Sequence, residues 1–513
     1  MSLFKPFFFY SMLLLVSSCG GGGGGGSAPA QVASAPNPAP NPAPTIALSL
    51  ALAQAEINEN VLITYSSTNA STCDASGDWS GSKGTSGSEQ YSSPEAGSFT
   101  FTLSCTGSGG TAESSATLQV EKYPDGINLR GASLIFPGSS NIRIAMNGNG
   151  RVLAVSRVNE MQQSFLQVYE WDTDRWLQKG ADISKDYAIS SIQISEDGLK
   201  IAFVSAQPYS YQWDGVEWKQ TGEIIKAAGN ISMSGDGGTI AVGYPGGGSN
   251  SYRIGYVEIY EWSDQAGWSL KGEEVALRSS ACTVGGCNGY GAFFGGALDL
   301  NHNGSALIVG APAAPHETPE SCDIQSQDGG CPSGAVIIFD FKDESWQQRG
   351  NNLFGVIWNG GFGANVNISS DGNRISASGR HPNLSFSDGI TPSLPDVNWM
   401  LVLDWKIESN LGGWVSAMER TSPTTLGHAM EMSANGERIF ISNKILDYTI
   451  PNTSSNSNGS IVIVSPSSNE SIGDIVGDDA NKKIGRTLTS NLTGTIMATS
   501  GEDFVNVYTV VFE

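Results

Sequence analysis

Charge is scarce in this chain, and positive charge is scarcest. Only 15% of the 513 residues are Asp, Glu, Lys or Arg, with 27 Lys and Arg against 50 Asp and Glu, for a formal net charge of −23. Nucleic-acid binders draw much of their affinity from Lys and Arg that neutralise phosphates, so nucleic acid is not an expected partner. Histidine is rarer still, at positions 302, 316, 381 and 428 only. The segment His316-Glu-Thr-Pro-Glu320 lacks the second His of a zinc-protease helix, and Pro319 argues against a helix there. No Gly-x-Ser-x-Gly elbow occurs, and the glycines at 246 to 248 lack the Lys of a phosphate loop. No cysteine pair has the CxxC spacing of a zinc site. The common signatures of a hydrolase or nucleotide-binding enzyme are thus missing, and a non-enzymatic protein without a cofactor is expected.

Glycine is abundant, with 64 residues, and strand-forming residues lie between Gly, Asn, Asp and Ser clusters, which favours an all-β fold. Near the start, Lys5 precedes an apolar stretch from Phe7 to Val16, too short to span a bilayer. The following Val16-Ser17-Ser18-Cys19 resembles the bacterial lipobox. That resemblance implies a signal peptide over 1–18, a lipid on Cys19 that anchors the chain to a membrane, and, with Gly20 after the cysteine, the outer membrane, facing the periplasm or the cell surface. Residues 19–44 read as a tether: seven glycines, then an Ala- and Pro-rich spacer, reaching on the order of 50 Å. Six cysteines remain, an even number that favours disulfides in an exported protein.

Residues 45–122 alternate apolar and polar positions in short runs such as Val61 to Tyr65 and Phe99 to Cys105, the pattern of a β-sandwich. The pieces Ser71-Thr-Cys-Asp-Ala-Ser-Gly-Asp-Trp79 and Gly97 to Gly107 resemble bacterial Ig-like modules. A bridge between Cys73 and Cys105 would staple this unit, which is expected to act as a passive stalk.

Residues 123–513 repeat. A strand, a turn ending in Gly and a second apolar strand recur at Asn149-Gly150, Asp197-Gly198, Asp236-Gly237, Asn303-Gly304, Asp371-Gly372, Asn435-Gly436 and Thr493-Gly494. A third strand carries paired aromatics, as in Tyr169-Glu-Trp171, and a fourth carries Trp followed four residues on by Gly, as in Trp176 to Gly180. Packing of these aromatics between repeats is favoured over sugar binding. Seven four-stranded units predict a seven-bladed β-propeller. Unit seven lacks its fourth strand, and Ile127 to Leu134 matches Trp176 to Ile183, so the N-terminal segment is expected to close the ring. The units resemble the FG-GAP repeats of integrin-type propellers, through Phe294-Gly295 and Gly310-Ala311-Pro312 and, in looser form, Phe362-Gly363 and Ile484-Gly485. That resemblance raises calcium at Asp299, Asn301 and Asn303, although Leu307 stands where the family closes its loop with Asp; a plain hairpin turn is the favoured reading.

The first-to-second turns are uniformly tight, whereas the long connections, 244–255, 312–334, 380–398 and 443–459, all join second to third strands. Strand alternation sends them to one face, together with Cys282 and Cys287 in a connection between units and Cys322 and Cys331 in the next long loop. These four cysteines are expected to be oxidised, as 282 with 287 and 322 with 331 or cross-paired. The long-loop face is the expected binding surface for a protein or glycan, with Tyr244, Tyr252, Arg253, Tyr290, His316, Phe386, Asp388 and Trp399 as candidate contacts. An envelope assembly scaffold and an extracellular glycan hydrolase or lyase are the rival readings.

Overall fold

The computed structural model describes residues 41–57, 59–224, 226–246, 255–277, 292–314, 333–355, 361–379, 398–408, 411–422, 426–443, 459–477 and 484–512. Every regular element among them is a β-strand, and the chain divides into two compact units, Met1–Lys122 and Tyr123–Glu513.

The first unit holds two sheets. One orders Thr45–Leu50, Val61–Thr68 and Ser86–Tyr91; the other orders Gln54–Glu56, Gly110–Glu121, Gly97–Gly107, Thr72–Gly77 and Gly81–Lys83. Alternation sets the core: Val61, Ile63 and Tyr65 are buried while Leu62, Thr64 and Ser66 face outward. Trp79 packs edge-on against Tyr65 and Phe101 in the same core. Cys73 and Cys105 lie directly opposite each other on neighbouring strands and form a disulfide.

Among the described residues, the second unit contains seven antiparallel sheets in sequence order, numbered one to seven. Their first strands are Ser140–Met146, Ser191–Ile194, Asn230–Met233, Ala297–Leu300, Asn365–Ile368, Leu426–Met432 and Leu488–Ser490, and each touches the next, the seventh touching the first. The ring closes as the sequence predicts: in sheet seven, Phe504–Val511 pairs with both Gly126–Leu129 and Leu134–Ile135. Side chains pack from sheet to sheet rather than into one centre. Ala154, Leu166 and Val168 of sheet one, for example, meet Ile192, Ile201 and Phe203 of sheet two. Second strands such as Thr239–Tyr244 and Ala306–Ala311 are therefore buried at every position, which explains their near-continuous apolar sequences.

At each tight turn, the residue three before the glycine accepts the main-chain N–H five residues on: Asn147 from Val152, Ser195 from Lys200, Ser234 from Thr239, Asn301 from Ala306, Ser369 from Arg374, Ser433 from Arg438 and Asn491 from Ile496, all at 2.7–3.0 Å. The repeated Asn or Ser is thus a turn-locking residue.

The outer edge has its own device. After Arg175–Gln178 the chain passes Lys179-Gly180 and pairs again with the third strand as Ile183–Lys185. Lys271-Gly272, Arg349-Gly350 and Arg130-Gly131 break the outer strands of sheets three, four and seven in the same way. Gly180 has φ +81°, and a β-carbon there would stand 2.8 Å from Trp213 of the following sheet. The cation before each glycine reaches the aromatic pair of the next sheet: Arg130 lies 4.6 Å from Trp171, Lys179 5.4 Å from Trp213, Lys271 5.2 Å from Phe341 and Arg349 5.7 Å from Trp405. The Trp repeats are thus joints between sheets, and Trp176 and Trp218 are buried in them.

Candidate functional site: the first-strand belt and the turn collar

The first strand of each sheet has one edge with no neighbouring strand, so its outward N–H and C=O groups need other partners. Side chains of the adjoining sheet supply several of them. Ser232 Oγ accepts from Leu300 N–H at 2.9 Å, Asp299 Oδ2 from Ile368 N–H at 3.0 Å, Glu431 Oε1 from Ser490 N–H at 3.2 Å, and Thr489 Oγ1 from Met146 N–H at 3.1 Å. All four acceptors occupy the same register, one residue before the end of the first strand, and each serves the next sheet round the ring.

Asp299 and Glu431 are the chemically unusual members of this belt. Burial pushes the Asp299 carboxyl up to about 7, against the opposing hydrogen bonds from Ile368 and Ser232. Burial, then the nearby Asp299 charge, pushes Glu431 up to about 8. Two carboxylic acids of the first-strand belt thus take up protons near neutral pH, and Glu431 feels the Asp299 charge although sheet five lies between them.

On one side of the first strands the tight turns are joined by a closed ring of main-chain hydrogen bonds. Gly148 N–H donates to Glu196 O, Glu196 to Gly235, Gly235 to His302, His302 to Ser370, Ser370 to Ala434, Asn435 to Leu492 and Leu492 back to Gly148, at 2.6–3.3 Å. Above this collar, His302 Nδ1 and Glu196 Oε1 are 2.6 Å apart. Asp236 stands beside them: burial would raise its carboxyl, but Ser234, the Gly238 N–H, Lys200 and His302 together hold it below the ordinary carboxylate range. Away from the collar, burial and then Arg486 lower the pKa of Arg143, and Arg143 Nε donates to Ser190 O at 3.2 Å. The second guanidinium is paired with Glu502 at 2.9 Å.

The sequence-predicted site residues fare differently. Tyr244 is not an exposed contact: it ends the fully buried strand Thr239–Tyr244, is 4% exposed, and stacks on Tyr256 with ring centroids 4.7 Å apart under Lys226. It was expected at the mouth of a loop, but the strand runs one residue further and turns the ring into the joint. Trp399 falls within the strand Asn398–Glu408, its backbone opposite Gly379 and Thr421. Tyr252, Arg253, Tyr290, His316, Phe386 and Asp388 lie outside the described residues, as do Cys19, Cys282, Cys287, Cys322 and Cys331.

The three residues considered for calcium do not converge. Asp299 points its two oxygens at Ser232 and Ile368 of the flanking sheets, while Asn301 and Asn303 turn their oxygens onto the Ser305 and Ala306 N–H groups of their own hairpin. Their alternating spacing serves the turn. Among the described residues no group of three or more His, Cys, Asp or Glu is placed to hold a metal.

Glu196, His302, Glu431 and Arg143 were not singled out by motif. Their signal is positional: aligning the seven units puts Glu196 and His302 at the second turn residue and Asp299 and Glu431 one residue before the strand end.

No protein-family model matches the chain, and no curated protein sequence matches it. Among solved structures, the β-propeller domain of Cps50 (Swd1) from Myceliophteria thermophila is similar at 12% identity and TM-score 0.48, over 75% of this chain and 100% of that one. The hydrazine synthase of Kuenenia stuttgartiensis is similar at 11% identity and TM-score 0.47, over 74% of this chain and 97% of that one.

Proposed function

We propose that this chain is a lipoprotein of the bacterial outer membrane, anchored through Cys19, in which an Ig-like stalk over 45–122 carries a seven-bladed propeller of FG-GAP type over 123–513. The propeller binds a protein or glycan through its long-loop face and catalyses no reaction. The observation that carries this reading is the polarity of the ring. Seven turns of uniform design form the collar on one side. The strand ends Tyr244 and Tyr256, Ala311 and Ala335, Gly379 and Asn398, and Asn443 and Ser460, which flank the long connections, all belong to the opposite side. Loop variation confined to one face of a rigid scaffold is the usual construction of a binding surface.

Two measurements test it. Cys19→Ser should abolish lipid labelling and release the protein from membranes; continued membrane association refutes the anchor. Capture from envelope fractions and on glycan arrays should be lost when 315–332 is replaced by a short turn and kept when Asp371 on the collar side becomes Asn. Capture that survives the loop replacement and fails with the collar variant would place binding on the other face.

A further inference from the structure

We propose that the joint between sheets two and three is a binding site for a primary ammonium group supplied from outside the ring. Five sheets carry an aromatic pair at this joint, and four of these pairs are met by a Lys or Arg from the preceding sheet: Trp171 by Arg130, Trp213 by Lys179, Phe341 by Lys271 and Trp405 by Arg349. The fifth, Trp262 with Trp268, has ring centroids 5.3 Å apart like the others, yet among the described residues no cation lies over it. In the outer strand of sheet two, Thr221 occupies the position before the glycine where the others have Lys179, Lys271, Arg349 and Arg130.

The local fold differs at the same place. Trp218–Glu223 runs through Thr221 and Gly222 as one strand with a bulge opposite Ser210, instead of breaking in two. The acid that accompanies the cation elsewhere has gone as well: Glu170 pairs with Lys179, Glu261 with Lys271 and Asp340 with Arg349, whereas the matching residue of sheet two is Gln212.

What remains is a crevice lined by Gln212, Thr221, Ser210, Tyr211, Trp262 and Trp268, with room for about one water- or ammonium-sized group. Ser210 Oγ accepts from the Trp268 indole N–H at 2.8 Å and contacts Thr221 Oγ1 at 2.9 Å, so two hydroxyl oxygens share the lining with the Gln212 amide and two electron-rich indoles. Lys200 also lines the crevice, with its Nζ engaged in donating to Asp236 O at 2.9 Å. The net charge of −23 favours a cation over an anion at such an opening. The chemistry that fits is a primary alkylammonium, either a free small amine or the end of a lysine side chain on another macromolecule.

The test uses the full chain and the indole N–H signals of Trp262 and Trp268, assigned through Trp→Phe variants. Methylammonium chloride should shift both signals saturably, with half-saturation on the order of 10 mM, while sodium chloride at equal ionic strength does not. Thr221→Lys, which supplies the missing side chain from within, should abolish the response and raise the melting temperature; Thr221→Val, which removes one lining oxygen without adding charge, should weaken the response without abolishing it. A lysine-bearing peptide that saturates at lower concentration identifies a macromolecular source, and equal affinity for the free amine identifies a small one. Absence of a saturable methylammonium shift, or an undiminished shift in Thr221→Lys, overturns the proposal.

Discussion

The Glu196 carboxylate sits 2.6 Å from the His302 imidazole although one belongs to sheet two and the other to sheet four. The contact exists because Gly235, the turn residue between them, has no side chain; a β-carbon there would collide with both partners. Gly235→Ala should therefore separate the pair. The variant should melt below its parent. Equal melting temperatures for variant and parent would show that the pair contributes nothing.

Asp299 and Glu431 make stability depend on pH. Their folded pKa values, about 7 and about 8, exceed ordinary carboxyl values, so the folded protein holds protons that the unfolded chain has released. Their contribution to stability is complete below about pH 4, falls as pH rises towards 7 to 8, and is level above that. Asp299→Asn with Glu431→Gln should flatten this slope between pH 5.5 and 8.5 and stabilise the protein at pH 8.5 by about 1 kcal/mol or more, read by urea unfolding. A double variant with the parental slope contradicts the assignment.

Removing 124–136 takes both outer partners from Phe504–Val511 and leaves a strand edge exposed. The melting temperature should drop by at least about 5 °C, with a rise in aggregation seen by light scattering. Parental melting would mean the ring does not depend on this closure.

Gly180→Ala meets two obstacles at once, a left-handed backbone at φ +81° and the Trp213 ring. A loss of at least about 1 kcal/mol in chemical unfolding is expected, and Trp213→Ala should shrink that loss by making room. Additive effects of the two changes would refute the steric account.

Much of this architecture was readable from local chemistry. Asn-Gly and Asp-Gly pairs mark six of the turns through their own backbone preferences, Thr493-Gly494 marks the seventh by its place in the repeat, and the match of Ile127–Leu134 to Trp176–Ile183 disclosed the closing strands. What was not readable depends on neighbours in space. Asp299 looked like the first ligand of a cation loop because the sequence shows its hairpin and hides the two sheets that flank it. Tyr244 looked exposed because a strand end and a loop start are one residue apart in sequence and opposite in burial. Glu196 and His302 carry no motif at all, being 106 residues apart and meeting only because the ring places every second turn residue on one circle.

Sheet seven alone is assembled from distant parts of the chain, with Thr509 bonded to Asn128 across 381 residues. The other six are each drawn from one continuous stretch and can form in order as the polypeptide lengthens. The last waits for the C-terminal strand, so the belt of side-chain contacts at Met146 and the collar bond from Leu492 to Gly148 stay open until then. Folding of this unit therefore ends in one late, long-range docking event. Completing the ring requires the two ends of the array to meet, and loss of the final strand would leave it with an open edge.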